Sequence, residues 1–274
     1  MAHNSMIIRT IQKLVLITLF TLSISVSADE KIDWTGFYGS AMVGRDWGHV
    51  SEGGGHSTFT SPDYYPGYIY ETSLFSHDGS SFRGWSGNLK LGYNKQINEN
   101  VFGIEAGAVI QSTRANGNAI ETWDTIPAAF EGPTTDSPSG LLSKTKIKNY
   151  ETLNLRAGHL FDNKTLIYGT AGVALGEIKR TLYQSDVALA RWLDNSASDK
   201  KTEIGYAIGF GLEHRLTERL SLRADYQYID FGKMTFKYQG DFHDLIDPFP
   251  QTNTISQSNS IHFSNLSAGV SYAF

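Results

Sequence analysis

The chain has 274 residues, a net charge of −5 and no cysteine. It therefore lacks the basic stripe that a nucleic-acid partner requires, and any disulfide framework, thiolate metal site or cysteine nucleophile. Beyond the amino-terminal run, no apolar stretch approaches the ~18 residues of a membrane helix, which excludes a helical membrane protein.

The first segment carries His3, Arg9 and Lys13, then an apolar run from Leu14 to Val26. Val26-Ser27-Ala28 and the charged pair Asp29-Glu30 follow. This pattern predicts a secretory signal peptide over residues 1–28, cleaved after Ala28, and a mature domain over residues 29–274.

From Trp34 onward the dominant signal is alternation of period two, which marks strands whose two faces meet different surroundings. A first strand is expected from about Trp34 to Trp47 and a second from about Gly84 to Ile97, with a Gly-, Ser- and Tyr-rich stretch between them. A tight turn at Asn98-Glu99-Asn100 leads to a third strand, in which Phe102, Ile104, Ala106, Ala108 and Ile110 share one face. It ends near Arg114. A polar segment to Lys146 precedes a fourth strand, about Ile147 to Phe161, and a second tight turn at Asp162-Asn163-Lys164. Strand five covers about Thr165 to Gln184 and strand six about Lys201 to Arg215. Ile204, Tyr206, Ile208, Phe210 and Leu212 of strand six alternate with small or charged residues. Thr217-Glu218-Arg219 forms the third tight turn. Strand seven runs from Leu220 to about Phe236, and a last strand runs from Ile261 to Phe274 after a fourth long connection.

Four long connections thus alternate with three short ones. A soluble sandwich has no reason for that alternation, and three of the long connections exceed the ~12 to 15 residues usual for structureless loops in compact domains. Outer-membrane barrels have tight periplasmic turns and long surface loops. The fold expected is all-β: an eight-stranded antiparallel transmembrane β-barrel with four long extracellular loops and three short periplasmic turns. In the last strand Leu266, Ala268, Val270, Tyr272 and Phe274 fall on one face and end on the terminal aromatic. Such a strand suits barrel closure, because it must pair on both edges while facing lipid.

A barrel of eight strands is filled by side chains rather than water, so charges on the inner face must pair. Reading the face opposite the apolar one gives Lys90, Glu105, Arg156, Glu213, Arg223 and Asp225, three cations and three anions. They are assigned a structural ion-pair network; a gated ion path is the competing reading. Gly53-Gly54-Gly55 has no helix start or Lys behind it and reads as flexible chain, not a phosphate loop.

Several segments together resemble a known family. They are Trp34-Thr35-Gly36-Phe37-Tyr38-Gly39, Gly92-Tyr93-Asn94, Val101-Phe102-Gly103-Ile104-Glu105 and Arg156-Ala157-Gly158. Tyr168-Gly169-Thr170-Ala171-Gly172-Val173-Ala174, Gly209-Phe210-Gly211-Leu212-Glu213 and Gly269-Val270-Ser271-Tyr272-Ala273-Phe274 complete the set. In this order they are similar to the small porin-like barrels of the alphaproteobacterial outer-membrane immunogen and hemin-binding group, whose architecture is also that of OmpA-like and Ail-like barrels. The final strand resembles the carboxyl-terminal insertion signal of such proteins. The resemblance implies the outer membrane of a Gram-negative bacterium, contact with outer-membrane lipid and lipopolysaccharide, handling by the barrel-assembly machinery, and exposure to a host protein or glycan.

Specificity is expected on the loops, since binding residues concentrate on loops held by a rigid scaffold. In the first, His56, Tyr64, Tyr65, Tyr68, Tyr70 and His77, with Phe59 and Phe75, form a candidate contact surface. The same residues are a candidate hemin platform in which His or Tyr reaches iron. An enzyme is considered at His262-Phe263-Ser264-Asn265, which resembles the motif of barrel lipases that deacylate lipid A. That chemistry needs an acidic residue to orient the His. The family places it downstream, and the chain has no Asp or Glu after Ser264. The function expected is therefore a non-enzymatic outer-membrane surface barrel, contacting host or environment and supporting envelope integrity. Hemin binding, a small porin and a lipid A deacylase are the alternatives.

Overall fold

The computed structural model describes residues 32–60, 69–75, 79–111, 113–123, 139–185, 196–242 and 251–274. The predicted signal peptide, residues 1–28, lies outside them. Among the described residues the regular structure is entirely β, in ten segments. These are β1 (Gly36–Thr60), β2 (Ile69–Phe75), β3 (Ser80–Ile97), β4 (Asn100–Gln111) and β5 (Thr113–Trp123). They continue with β6 (Ser139–Leu160), β7 (Thr165–Ser185), β8 (Ser196–Arg215), β9 (Leu220–Phe242) and β10 (Gln251–Ala273). All pairings are antiparallel, and β1 pairs with β10 from Tyr38↔Ala273 to Thr60↔Thr252, which closes the ring. The upper part of β1 pairs with β2 where the lower part pairs with β3, and β6 changes partner from β4 to β5 in the same way. Each of these two pairs therefore forms one stave, and the ring has eight.

The three tight turns lie where the spacing predicts them. At the first, Asn98 adopts φ 56°, a left-handed conformation that Asn tolerates. At the second, the Asp162 carboxylate accepts the amides of Lys164 at 2.7 Å and Thr165 at 2.5 Å. The Lys164 amide is the main cause holding this carboxyl below its ordinary range. At the third, the Thr217 hydroxyl accepts the Leu220 amide at 2.9 Å.

The staves are much longer than the sequence predicts, and their ends extend into the segments expected as long loops. A membrane strand needs ~9 to 11 residues. β1 has 25 residues and β10 has 23. Much of what reads as long extracellular loop is barrel wall rising above the membrane. The reason is visible on β10, whose inner parity stays constant from end to end. Its outward side chains run Phe274, Tyr272, Val270, Ala268, Leu266, and then His262, Ser260, Ser258, Ser256. Its buried inward ones run Ser271, Ser267, Asn265, and then Phe263, Ile261. Low in the wall the strand is apolar outside and polar inside, as lipid requires. Higher up the outer face turns polar, as water requires, and the inner face turns apolar at Phe263 and Ile261 before the buried Asn259 and Gln257. The lower belt is edged by aromatics, with Phe37 and Tyr93 edge to face at 4.9 Å and Tyr272 and Phe274 at 5.6 Å. Its upper edge carries Trp47, Trp85, Tyr206, Tyr226 and Tyr228.

Two glycines make room for the lumen. Gly92 is the register partner of Tyr38, and Gly211 that of Tyr168. A Cβ on Gly92 would meet the Tyr38 ring at 2.5 Å, and one on Gly211 would press into the Tyr168 ring. Gly211→Ala is expected to destabilise the barrel by about 1 to 3 kcal/mol through overpacking. The temperature at which the folded, fast-migrating gel band is lost checks this, and an unchanged temperature would refute the close fit.

Candidate functional site

The inner face is a stack of layers, and the lowest well-formed one contains all six predicted lumen charges, each buried. Lys90 Nζ lies 3.2 Å from Glu105 Oε1 and 2.6 Å from Asp225 Oδ2. Arg223 reaches Glu105 Oε2 at 2.6 Å and Asp225 Oδ2 at 2.8 Å. Arg156 holds Glu213 Oε2 at 2.6 Å, and Ser221 donates to the same carboxylate at 2.6 Å. The six form two connected groups of balanced charge.

Two tyrosines that the sequence reading did not single out complete this layer. Tyr38 donates to Glu105 Oε2 at 2.7 Å, and Tyr168 donates to Asp225. The Arg156 guanidinium stands 3.6 Å from the Tyr168 ring centroid and 5.3 Å from that of Tyr38. Each ring therefore serves one carboxylate through its hydroxyl and a cation through its face. Both were legible by parity, since Phe37 and Ile167 beside them are outward and exposed.

Above this lies an amide layer. Asn265 donates to Asp46 at 2.7 Å and to Ser86 at 2.9 Å, and accepts from Asn88 at 3.2 Å. Higher still, Phe263 is 1% exposed at the centre of a buried apolar cluster that includes Phe82, Tyr150, Phe231, Ile147 and Ile178. The Phe263 ring meets Tyr150 at 5.3 Å, Phe82 at 5.9 Å and Phe231 at 6.1 Å. A top layer follows, where Arg180 reaches Glu52 Oε2 at 3.2 Å and Ser143 donates to Glu52 Oε1 at 2.5 Å. An ion leaving the charged layer upward would have to cross the apolar cluster, where an unpaired charge is costly.

The remaining predicted residues are dispersed. Leu266, Ala268, Tyr272 and Phe274 are exposed on the outward face of the closing stave, with Val270 half-buried among them. His56 and Phe59 belong to β1, and Tyr70 and Phe75 to β2. That segment is therefore wall and not loop, its backbone pairing through His56↔Ser73 and Phe59↔Tyr70. Tyr64, Tyr65, Tyr68 and His77 lie outside the described residues. His262 and Ser264 share the outward face. The Ser264 hydroxyl is 2.9 Å from that of Tyr226, and the His262 ring packs 6.2 Å from those of His49 and Tyr228. Asp230 is the register partner of His262, but its carboxylate receives the Tyr206 hydroxyl at 3.1 Å and the Gly232 amide at 2.7 Å. Among the described residues no hydrogen bond joins Ser264, His262 and a carboxylate into a relay.

The chain is similar to known proteins. The family model described as outer membrane protein beta-barrel domain matches residues 16–274. The chain is 27% identical over 195 residues to the 31 kDa outer-membrane immunogenic protein of Brucella melitensis, covering 70% of this chain and 67% of that protein. It is 28% identical over 119 residues to the outer membrane protein PagN of Salmonella typhimurium, covering 42% of this chain and 45% of that one. Among solved structures, the outer membrane protein OprG of Pseudomonas aeruginosa aligns with a TM-score of 0.42 at 14% identity, covering 90% of this chain and 99% of that chain.

Proposed function

The chain belongs to the outer membrane protein beta-barrel domain family, and from that premise we propose that it is a closed, non-enzymatic surface scaffold. Its upper wall presents contacts to host or environment, and its packed lumen stiffens the envelope. The observation that carries this reading is the inversion of polarity along single staves. The lower half is built for lipid, while the upper half is built like a soluble barrel with its own apolar core. Such a core supports rigidity and opposes the passage of solutes. The name of the Brucella relative as an immunogenic protein fits an exposed upper wall.

The test is surface labelling of whole cells with a membrane-impermeant amine reagent, followed by peptide mapping. Exposed Lys233 and Lys237 on the upper part of β9 are expected to react. Exposed Lys164, in the second tight turn, is expected to stay unlabelled until the outer membrane is opened. Labelling of Lys164 in intact cells would place the upper wall in the periplasm and overturn the proposal. A steady step conductance from the unmutated protein in a planar bilayer would remove the claim of a closed scaffold.

A further inference from the structure

Just above the lipid belt, the outer wall carries a row of cations running directly across four staves. Arg114 of β5 is the register partner of Lys146 of β6, Lys146 that of Lys179 of β7, and Lys179 that of Lys200 of β8. Three inter-strand spacings of ~4.8 Å make this row about 14 Å long. Arg114, Lys179 and Lys200 are exposed and Lys146 is half-buried. Directly opposed like charges destabilise a sheet. Sheets often tolerate lysine on an edge strand, where it blocks aggregation. At this height Lys146 of β6 and Lys179 of β7 are on strands paired on both sides, so that explanation does not apply to the two central cations.

Local carboxylates neutralise the row only at its Lys200 end. Glu177 is taken by Lys148 at 2.6 Å and by Lys200. Asp199 accepts backbone amides of Lys200 at 2.7 Å and Lys237 at 3.0 Å. Among the described residues, Arg114, Lys146 and Lys179 have no carboxylate partner within salt-bridge distance.

The height of the row points to its counter-charge. Arg114, Lys179 and Lys200 each stand four residues above an exposed aliphatic side chain of the belt, namely Ile110, Leu175 and Ile204. Four residues are about 13 Å of strand, or about 10 Å of height at the ~40° tilt of a membrane barrel. That places the cations, on a row that climbs about 9 Å across strands of that tilt, around the headgroups of the outer leaflet and below most of the upper wall.

We propose that this row binds the phosphate groups of a phosphorylated glycolipid of the outer leaflet, clamping lipid to one side of the barrel. The site rests on the outer-membrane location alone and holds whatever the upper wall contacts. The four cations supply charge-assisted hydrogen bonds to phosphate, and the neighbouring aliphatic belt takes the acyl chains.

The experiment uses the full chain refolded in dodecyl maltoside, with bound lipid read by native mass spectrometry. Bisphosphorylated lipid A is the probe and its dephosphorylated form the control. The unmutated protein is expected to retain lipid A and to bind the dephosphorylated form at least tenfold more weakly. Lys179→Gln is expected to weaken binding about fivefold, the worth of one cation near an anionic lipid surface, and Lys179→Arg to restore it. R114Q/K146Q/K179Q/K200Q is expected to lose retention, while K233Q/K237Q, which removes two exposed lysines outside the row, keeps it. In lipid-free detergent the fourfold variant is expected to melt no lower than the unmutated protein, because its repulsion is relieved. Equal binding of the two lipids, or retention by the fourfold variant, overturns the proposal. So does heparin, a sulfated glycan, binding the row more tightly than lipid A at the same salt concentration.

Discussion

Arg223→Met is expected to destabilise the barrel by about 3 to 5 kcal/mol, the usual consequence of removing one member of a buried ion pair. Arg223 contacts two carboxylates, Glu105 and Asp225, and donates to the Ser40 hydroxyl at 3.2 Å. Without it, Lys90 would be, among the described residues, the one cation within salt-bridge distance of these two buried carboxylates. The loss comes from leaving charge buried and unpaired, and only in small part from losing the attraction itself. The double variant Arg223→Met with Asp225→Leu restores equal numbers of cations and anions, and is expected to recover most of the loss. Urea titration of the folded gel band in detergent measures both. A single variant within about 1 kcal/mol of the unmutated protein would mean that water reaches this layer. A double variant as unstable as the single would mean that packing around Tyr168, not charge, sets the cost.

That network was readable because the lipid belt is so regular. Where Phe102 to Ile110 and Ile204 to Leu212 face outward at every second position, the intervening Glu105 and Glu213 must face inward, and the same parity yields Lys90, Arg156, Arg223 and Asp225. The turns at Asn98, Asp162 and Thr217 were readable from composition. Tyr38 and Tyr168 share the inward parity, but tyrosine in a barrel strand ordinarily signals an interfacial girdle, so residue type alone does not mark them as lumen groups. The upper wall was missed for a different reason. Above Ile261 both faces of β10 carry polar residues, with Ser256, Ser258 and Ser260 outward and Gln257 and Asn259 buried. Such a segment has no amphipathic signature and reads as loop. At several bulges the parity also resets, as on β1 between Glu52 and Gly55. The pairing of β6 with β7 shifts register between Ile147 and Tyr150, and β9 bulges at Gly232, whose φ is +67°. After each bulge an alternation counted from the belt points the wrong way. The pairing of Arg114, Lys146, Lys179 and Lys200 depends on that register, so no single strand reveals the row.

The polarity inversion itself makes the second large prediction, on three positions of β10. Phe263 is buried at the centre of the upper cluster, and Phe263→Ala is expected to cost about 3 to 5 kcal/mol through lost contact and a residual cavity. Ala268 and Ser258 are both outward on the same stave, one in the lipid belt and the other above it. Ala268→Lys is expected to cost about 2 to 4 kcal/mol in a bilayer, the range for a cation on the lipid face near the midplane. Ser258→Lys, facing water, is expected to stay within about 0.5 kcal/mol. Folding equilibria in phosphatidylcholine vesicles separate the three. If Ser258→Lys costs as much as Ala268→Lys, the lipid belt reaches higher than the exposed apolar side chains indicate. If Phe263→Ala costs no more than an outward substitution, the upper interior is hydrated, and the barrel is open where its packing says it is closed.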